Sequence, residues 1–447
     1  MDRDLTRGPI MASMLKFAVP MILGNLLQQC YNVADTLIVG KFLGSNALAA
    51  VGSAFTLMTF LTSILLGLCM GSGAVFSIRF GRRDEQGLAE SIRASFVLIG
   101  ILTVLLNLIS FACLDGIRIF LQVPDEVWGY MREYLAVIFR GITATFLYNY
   151  VASFLRAVGN SLVPLVFLAA SSVLNILLDL WFVLQLGQGA AGAARATVIS
   201  QYISGIGIVL YGMWRCPQLR AVRRFWNVRL ECVREIAGFS ILTCVQQSVM
   251  NLGILMVQGL VNSFGPVIMA AFAAAVKIDA FAYMPVQDFG NACSTFLAQN
   301  YGARQEERIR KGLKGAMITS MAFCIVVSVF VWVFARPLMA LFVETSETEV
   351  IMEGVRYLRI EGVFYCGIGC LFLLYGLYRA LGKPGMSVVL TVISLGTRVV
   401  LAYVLSAVPA FGVTGIWWSV PIGWFLADAV GLIYYGKKKK QLIGWTG

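Results

Sequence analysis

Two carboxylates stand where carboxylates are costly. Asp35 is the only charge in the run from Phe17 to Gly40, and Asp179 lies in a second apolar run, Ser161 to Leu186. Each run is long enough to cross a bilayer, whose ~30 Å hydrocarbon core takes about 20 apolar residues, and a charge there costs at least ~2.5 kcal/mol. Such groups need a partner and a use. Asn175 precedes Asp179 by four residues, which puts both on one helix face. Two carboxylates brought together in an apolar setting cannot both stay ionised cheaply, so they share a proton or a cation neutralises them. Either state makes the pair an ion-coupling device. Asn175 and Thr197 supply neutral oxygens, which suit Na⁺, a hard cation, and equally suit hydrogen bonds to a protonated aspartic acid. The competing reading is structural, with these polar residues tying the first and fifth spans together.

The chain that must position them has 447 residues, 59% hydrophobic and 13% charged, with a mean hydropathy of +0.81. That composition belongs to an all-α polytopic membrane protein rather than a soluble domain. The formal charge of +12 would suggest nucleic acid in a soluble chain. Here its placement marks topology instead, and no nucleic-acid partner is expected. No cleaved leader is expected, because Asp2 and Asp4 stand beside Arg3 and Arg7 and the apolar run that follows is too long. The ten cysteines are scattered singly and read as small buried hydrophobes; Cys366 and Cys370 have no further zinc ligands near them. Histidine is absent, which excludes His relays, His metal ligands and Ser-His or Cys-His catalysis. Proton chemistry falls to carboxylates.

Apolar runs predict twelve spans, near 15–40, 47–78, 94–114, 133–155, 161–186, 190–214, 236–264, 267–301, 315–335, 354–378, 385–408 and 410–436. With a cytoplasmic N-terminus, the inner loops and tails collect Arg3, Arg7, Arg79, Arg82, Arg83, Arg93, six arginines between Arg215 and Arg234, five basic residues between Arg304 and Lys314, and Lys437 to Lys440. The outer connections are acidic or uncharged, so both termini are expected in the cytoplasm. The C-terminal lysines are a topology anchor with anionic-lipid contact.

The two halves repeat. Gly44 and Gly81 recur at one shared offset as Gly265 and Gly302. Tyr134, Arg156, Gly159, Gly189 and Gly192 recur at a marginally longer one as Tyr357, Arg379, Gly382, Gly412 and Gly415. Both offsets are close to half the chain. This predicts duplication of a six-span unit, with the symmetry axis along the membrane normal. The expected architecture is twelve transmembrane helices in two six-helix repeats forming two lobes around a central cavity. The N-terminal lobe is 1–214, the cytoplasmic linker 215–234 and the C-terminal lobe 235–447. The Gly-Arg turns at Gly81-Arg82, Arg156 with Gly159, Gly302 with Arg304, and Arg379 with Gly382 read as tight turns with snorkelling anchors.

The acid pair is not copied in the second half, where Asn175 becomes Arg398, Asp179 becomes Ala402 and Asp35 becomes Met256. That half has its own intramembrane charges: Lys277, Asp279, Asp288, Glu361 and Arg398. They form either a structural polar network or a substrate site. Lys277 and Asp279 are too close in sequence to share a helix face, so their partners should come from other helices. Gln246, Gln247 and Asn251 read as packing groups. Met250, Met256, Met269, Met284, Phe281, Tyr283 and Phe289 lie along the seventh and eighth spans, where lipid-facing and helix-packing roles explain most of them. Where such soft and aromatic surface faces a cavity beside a carboxylate, it suits varied lipophilic cations.

These features together resemble the multidrug and toxic compound extrusion (MATE) transporters. The resemblance covers nearly the whole chain. It rests on the twelve spans in two repeats and on Pro20 with Asp35-Thr-Leu-Ile-Val-Gly40. It also rests on Arg156-Ala-Val-Gly159-Asn160, Asn175-Ile-Leu-Leu-Asp179, Thr197 and Gln299-Asn300-Tyr-Gly302-Ala303. It implies the branch whose H⁺ or Na⁺ site lies in the N-terminal lobe, at Asp35, Asn175, Asp179 and Thr197, with Pro20 permitting the first helix to bend. The other branch uses a carboxylate on the seventh helix, and the run from Ile236 to Phe264 has none. The implied function is secondary active efflux of lipophilic cationic compounds by H⁺ or Na⁺ antiport through alternating access. The protein is then no enzyme, needs no cofactor beyond the coupling ion, and acts as a monomer in the plasma membrane. A lipid-linked oligosaccharide flippase of the same superfamily would need a more basic cavity. An intramembrane enzyme would have only Asp pairs to work with, and a receptor or channel would have no use for coupling acids in a duplicated chain.

Overall fold

The computed structural model describes residues 4–43, 45–120, 125–222 and 229–443. Arg3, Gly44, Arg223 and Arg224, counted above for topology or repeat, lie outside them. Among the described residues every regular element is helical. Eleven helices are long and apolar enough to span a membrane, and a bent pair brings the number to twelve. The chain is a multi-pass membrane protein, as its composition requires.

The first six spans are Ile10–Leu43, Ser45–Gly81, Glu85–Ala112, Asp125–Ala157, Leu162–Gln185 and Gly189–Arg215. The second six are Leu230–Asn262, Pro266–Gly302, Glu306–Met339, the pair Thr348–Val363 and Tyr365–Ala380, then Pro384–Ser406 and Gly412–Ile443. Apolar runs locate the spans but not their ends. The fourth starts at Asp125 rather than near 133, and the tenth bends by 53° between Val363 and Tyr365. Polar signals set the ends. Asp84 caps the third span by accepting from the Gly87 amide at 2.8 Å. Pro266 and Pro384 open their helices, where a missing N–H costs nothing.

Two compact units result. One is built on Leu23–Cys244, the other on Leu5–Ile22 with Val245–Gly447. The first and seventh spans therefore each change unit part-way along, the first just after Pro20, which stands inside its helix. A proline there leaves the carbonyl of Lys16 without its helical donor.

The backbone repeats as the residues do. Arg83 and Arg304, equivalent by the offset that relates Gly81 to Gly302, are the two non-glycine residues with positive φ among those described, at 57° and 55°. Gly159 and Gly382 take φ of 89° and 76° at matching turns of the two halves. The five-residue closures match as well: Asn160 N donates to Leu155 O, and Lys383 N to Tyr378 O, both at 2.8 Å. The anchor reading of the arginines needs correction, however. Arg379 is buried, donating from Nη2 to Asn291 Oδ1 at 2.9 Å and from Nε to Ser294 Oγ at 3.4 Å.

Inside each unit small residues let helices touch at the backbone, the packing that substitutes for a hydrophobic drive within lipid. A Cβ on Gly71 would lie 2.4 Å from Phe239 O, and one on Gly376 2.6 Å from Gly290 O. Beside the first contact Ser72 Oγ and Ser240 Oγ lie 2.8 Å apart. The start of the seventh span is further held to its unit by Arg79 with Glu235 and by Arg229 with Glu90, the latter at 3.0 Å. The ten cysteines are free, but Cys30 and Cys113 are exposed, so burial does not describe them all.

Candidate cation site

Asp35 and Asp179 come together within one unit. The carboxyls lie in hydrogen-bonding reach of each other. Asp179 is fully buried, as Asn175 nearly is at 2% exposure, and Thr197 is buried beside them. The four-residue spacing works as the helix dictates. Oriented to satisfy both its neighbours, the Asn175 amide donates to Asp179 Oδ2 at 3.2 Å and accepts from the Thr197 hydroxyl at 3.2 Å. The fifth span leaves α-helical geometry immediately after Asp179, in a π-helical stretch over Leu180–Gln185. Such π-helical turns are frequent at functional sites.

One oxygen of each acid, Asp35 Oδ1 and Asp179 Oδ1, is buried with no hydrogen-bond partner. A buried carboxyl oxygen left bare costs about 1–3 kcal/mol. Two bare oxygens on paired acids are what a proton or a small cation would satisfy. Two residues absent from the expected site, Tyr31 and Tyr134, lie within electrostatic range of both carboxyls. Tyr134 was visible as one of the residues that recur in the second half. Tyr31 precedes Asp35 by four and shares its helix face.

In the other unit three of the five expected charges gather. Asp279 accepts from the Tyr365 hydroxyl on Oδ1 and from the Tyr357 hydroxyl on Oδ2, the latter at 3.4 Å, and it hydrogen-bonds Glu361. Arg398 lies within electrostatic range of both acids. Asp279 thus takes its partners from the tenth and eleventh spans, as its spacing from Lys277 required. Lys277 itself is exposed, and Asp288 is buried nine residues beyond Asp279, on the opposite face of the helix from it. Another buried acid, Asp428, escaped the sequence reading. It pairs with the Cys370 thiol of the tenth span and leaves Oδ1 unpartnered. The test that picked Asp35 would have found it, since it is the sole charge between Gly412 and Gly436.

The Gln299-Asn300 motif has a structural use. The Leu5 amide donates to Gln299 Oε1 at 3.0 Å, Asn300 Nδ2 donates to Leu5 O at 3.2 Å, and Arg308 donates to Gly8 O at 2.8 Å. The segment before the first span is thereby tied to the eighth and ninth.

A family model, MatE, matches residues 20–181 and 241–404, one stretch in each half. The chain belongs to the MATE family. It is 30% identical to the Probable multidrug resistance protein YpnP of Bacillus subtilis over 97% of this chain and 96% of the relative. It is 23% identical to the Multidrug export protein MepA of Staphylococcus aureus over 96% and 94%. Among solved structures it matches MATE in the bent conformation with a TM-score of 0.90, at 24% identity and over 98% and 97% of the two chains. It also matches a MOP superfamily transporter from Pyrococcus furiosus with a TM-score of 0.91, at 24% identity and over 98% of each chain. MATE proteins are transporters, so this chain is a transporter and not an enzyme.

Proposed function

We propose that this MATE protein exports lipophilic cationic small molecules across the plasma membrane by H⁺ or Na⁺ antiport. The observation that carries the reading is the Asp35/Asp179 pair, hydrogen-bonded to each other, with one bare buried oxygen on each acid. The names of its relatives, a probable multidrug resistance protein and a multidrug export protein, support the substrate class.

The mechanism is alternating access of an N-terminal lobe (1–214) and a C-terminal lobe (235–447) joined by a cytoplasmic linker (215–234), with both termini cytoplasmic. A cation entering at Asp35 and Asp179 neutralises the pair, with Asn175 and Thr197 fixing the Asp179 carboxyl. Pro20 gives the first helix the freedom to bend as the site fills. The loaded state binds cationic substrate less well, and substrate leaves outward. An ion drives this only through its differential affinity for the two states, and moving a population from 1:99 to 99:1 takes about 5.5 kcal/mol. Asp279, Glu361 and Arg398 form a polar network in the second lobe, while Lys277 and Asp288 stand apart from it.

The test is resistance and dye efflux in cells producing the chain. Export of a lipophilic cation by the wild type, lost in Asp35→Asn at equal membrane abundance, is expected. Equal export by Asp35→Asn would overturn the reading.

A further inference from the structure

We infer that Arg398 is the built-in counter-cation of a second acid pair, Asp279 and Glu361, so that the C-terminal unit carries in covalent form the positive charge that the N-terminal unit takes from solution. The inference rests on reading the Asp35/Asp179 pair as the ion site, and it says why the repeated half has none.

The two clusters share two positions of the repeat. Arg398 stands where the first half has Asn175, and Tyr357 where it has Tyr134, both by the offset that relates Arg156 to Arg379. Both clusters hold two carboxyls hydrogen-bonded to each other, and a hydrogen bond between carboxyls requires a proton on one of them. In the second half Asp279 receives the Tyr365 hydroxyl and the Tyr357 hydroxyl lies against both acids, so one proton is shared between Asp279 and Glu361. The groups around this pair are Tyr357, Tyr365, Tyr283 and Arg398. With the tyrosines neutral, one carboxylate is set against one guanidinium and the cluster closes at zero charge. Around Asp35 and Asp179 stand Tyr31, Tyr134, Asn175 and Thr197, and among the described residues no lysine or arginine acts on either acid. That cluster is one positive charge short.

Arg398 acts across space rather than through a bridge. Its buried Nε has no hydrogen-bond partner, and neither has Oε1 of Glu361, a residue 1% exposed. The second half therefore keeps a bare acid oxygen of the kind found on Asp35 and Asp179, with a fixed cation nearby. Removing that cation should leave a vacancy for a mobile one.

The test uses purified full-length protein in detergent, with ²²Na⁺ binding and proton uptake measured separately. Asp35→Asn with Asp179→Asn silences the first pair and should bind no cation. Adding Arg398→Asn should create binding of one Na⁺ or one proton per chain, and replacing both acids of that protein, Asp279→Asn with Glu361→Gln, should abolish it. Arg398→Lys should behave as the parent. A folded Arg398→Asn protein in that background that gains no cation overturns the inference, as does cation binding by the silenced parent that Glu361→Gln removes. A wild type that binds no cation would defeat the coupling reading, yet Arg398→Asn alone should still gain one. If Arg398→Asn does not fold, thermal unfolding decides. Asp279→Asn with Glu361→Gln should lose stability by stranding the guanidinium, and adding Arg398→Gln should recover it. Failure to recover overturns the inference.

Discussion

Replacing Asn175 with alanine isolates what the amide does for Asp179. The amide is 2% exposed and donates to Asp179 Oδ2 at 3.2 Å, while Asp179 Oδ1 already has no partner. Alanine would leave the carboxyl with only its hydrogen bond to Asp35. A hydrogen bond to a charged group is worth about 1.5–3 kcal/mol. Its loss falls on the cation-free pair, because a bound cation compensates the bare oxygen. The pair should then hold its ion more tightly by the same amount, about 10- to 150-fold at 1.4 kcal/mol per decade. Release becomes the slow step of the cycle. The assay is cation binding to purified protein together with efflux from proteoliposomes: the half-saturating cation concentration should fall while gradient-driven turnover falls too. Weaker cation binding in Asn175→Ala would refute the argument, and would mean that the amide oxygen is itself a ligand rather than its nitrogen a support for Asp179.

Two further perturbations probe the framework. Gly71→Val should cost more than the ~1–3 kcal/mol usual for overpacking, because its Cβ would meet the Phe239 carbonyl at 2.4 Å and backbone cannot step aside; a lowered unfolding temperature and poor membrane yield are expected. Arg308→Ala removes the donors to Leu5 O and Gly8 O at 3.0 and 2.8 Å. Limited proteolysis should then cut between residues 5 and 9 in the variant and spare the wild type.

Much of the architecture was legible because lipid imposes a simple rule: every long apolar run must be a helix, so twelve runs gave twelve spans. The repeat was legible for a different reason. Turns at fixed offsets need the same backbone, and Gly159 with Gly382 supplies it in both halves. Arg83 and Arg304 take the same left-handed conformation without glycine, which no residue type announces. Helix ends were harder to read, since the Val363–Tyr365 bend falls inside a single run with no proline to mark it. The acid pair could be read because a lone charge in a span stands out, and Asp428 meets the same criterion. Tyr31 and Tyr365 could not be singled out, because tyrosine is ordinary in membrane helices and only the folded arrangement brings it to an acid. Arg379 misled for the converse reason: at a helix end it looks like an anchor, and only packing shows it turned inward against Asn291 and Ser294.

The most direct test of the central claim separates substrate passage from its drive. Proteoliposomes holding the wild type or Asp179→Asn are loaded with a fluorescent lipophilic cation and followed first without a gradient, as exchange, and then with a pH gradient or a Na⁺ gradient imposed separately. The account predicts that both proteins exchange substrate and that only the wild type concentrates it, under one of the two gradients. Uphill transport by Asp179→Asn at the wild-type rate would contradict it.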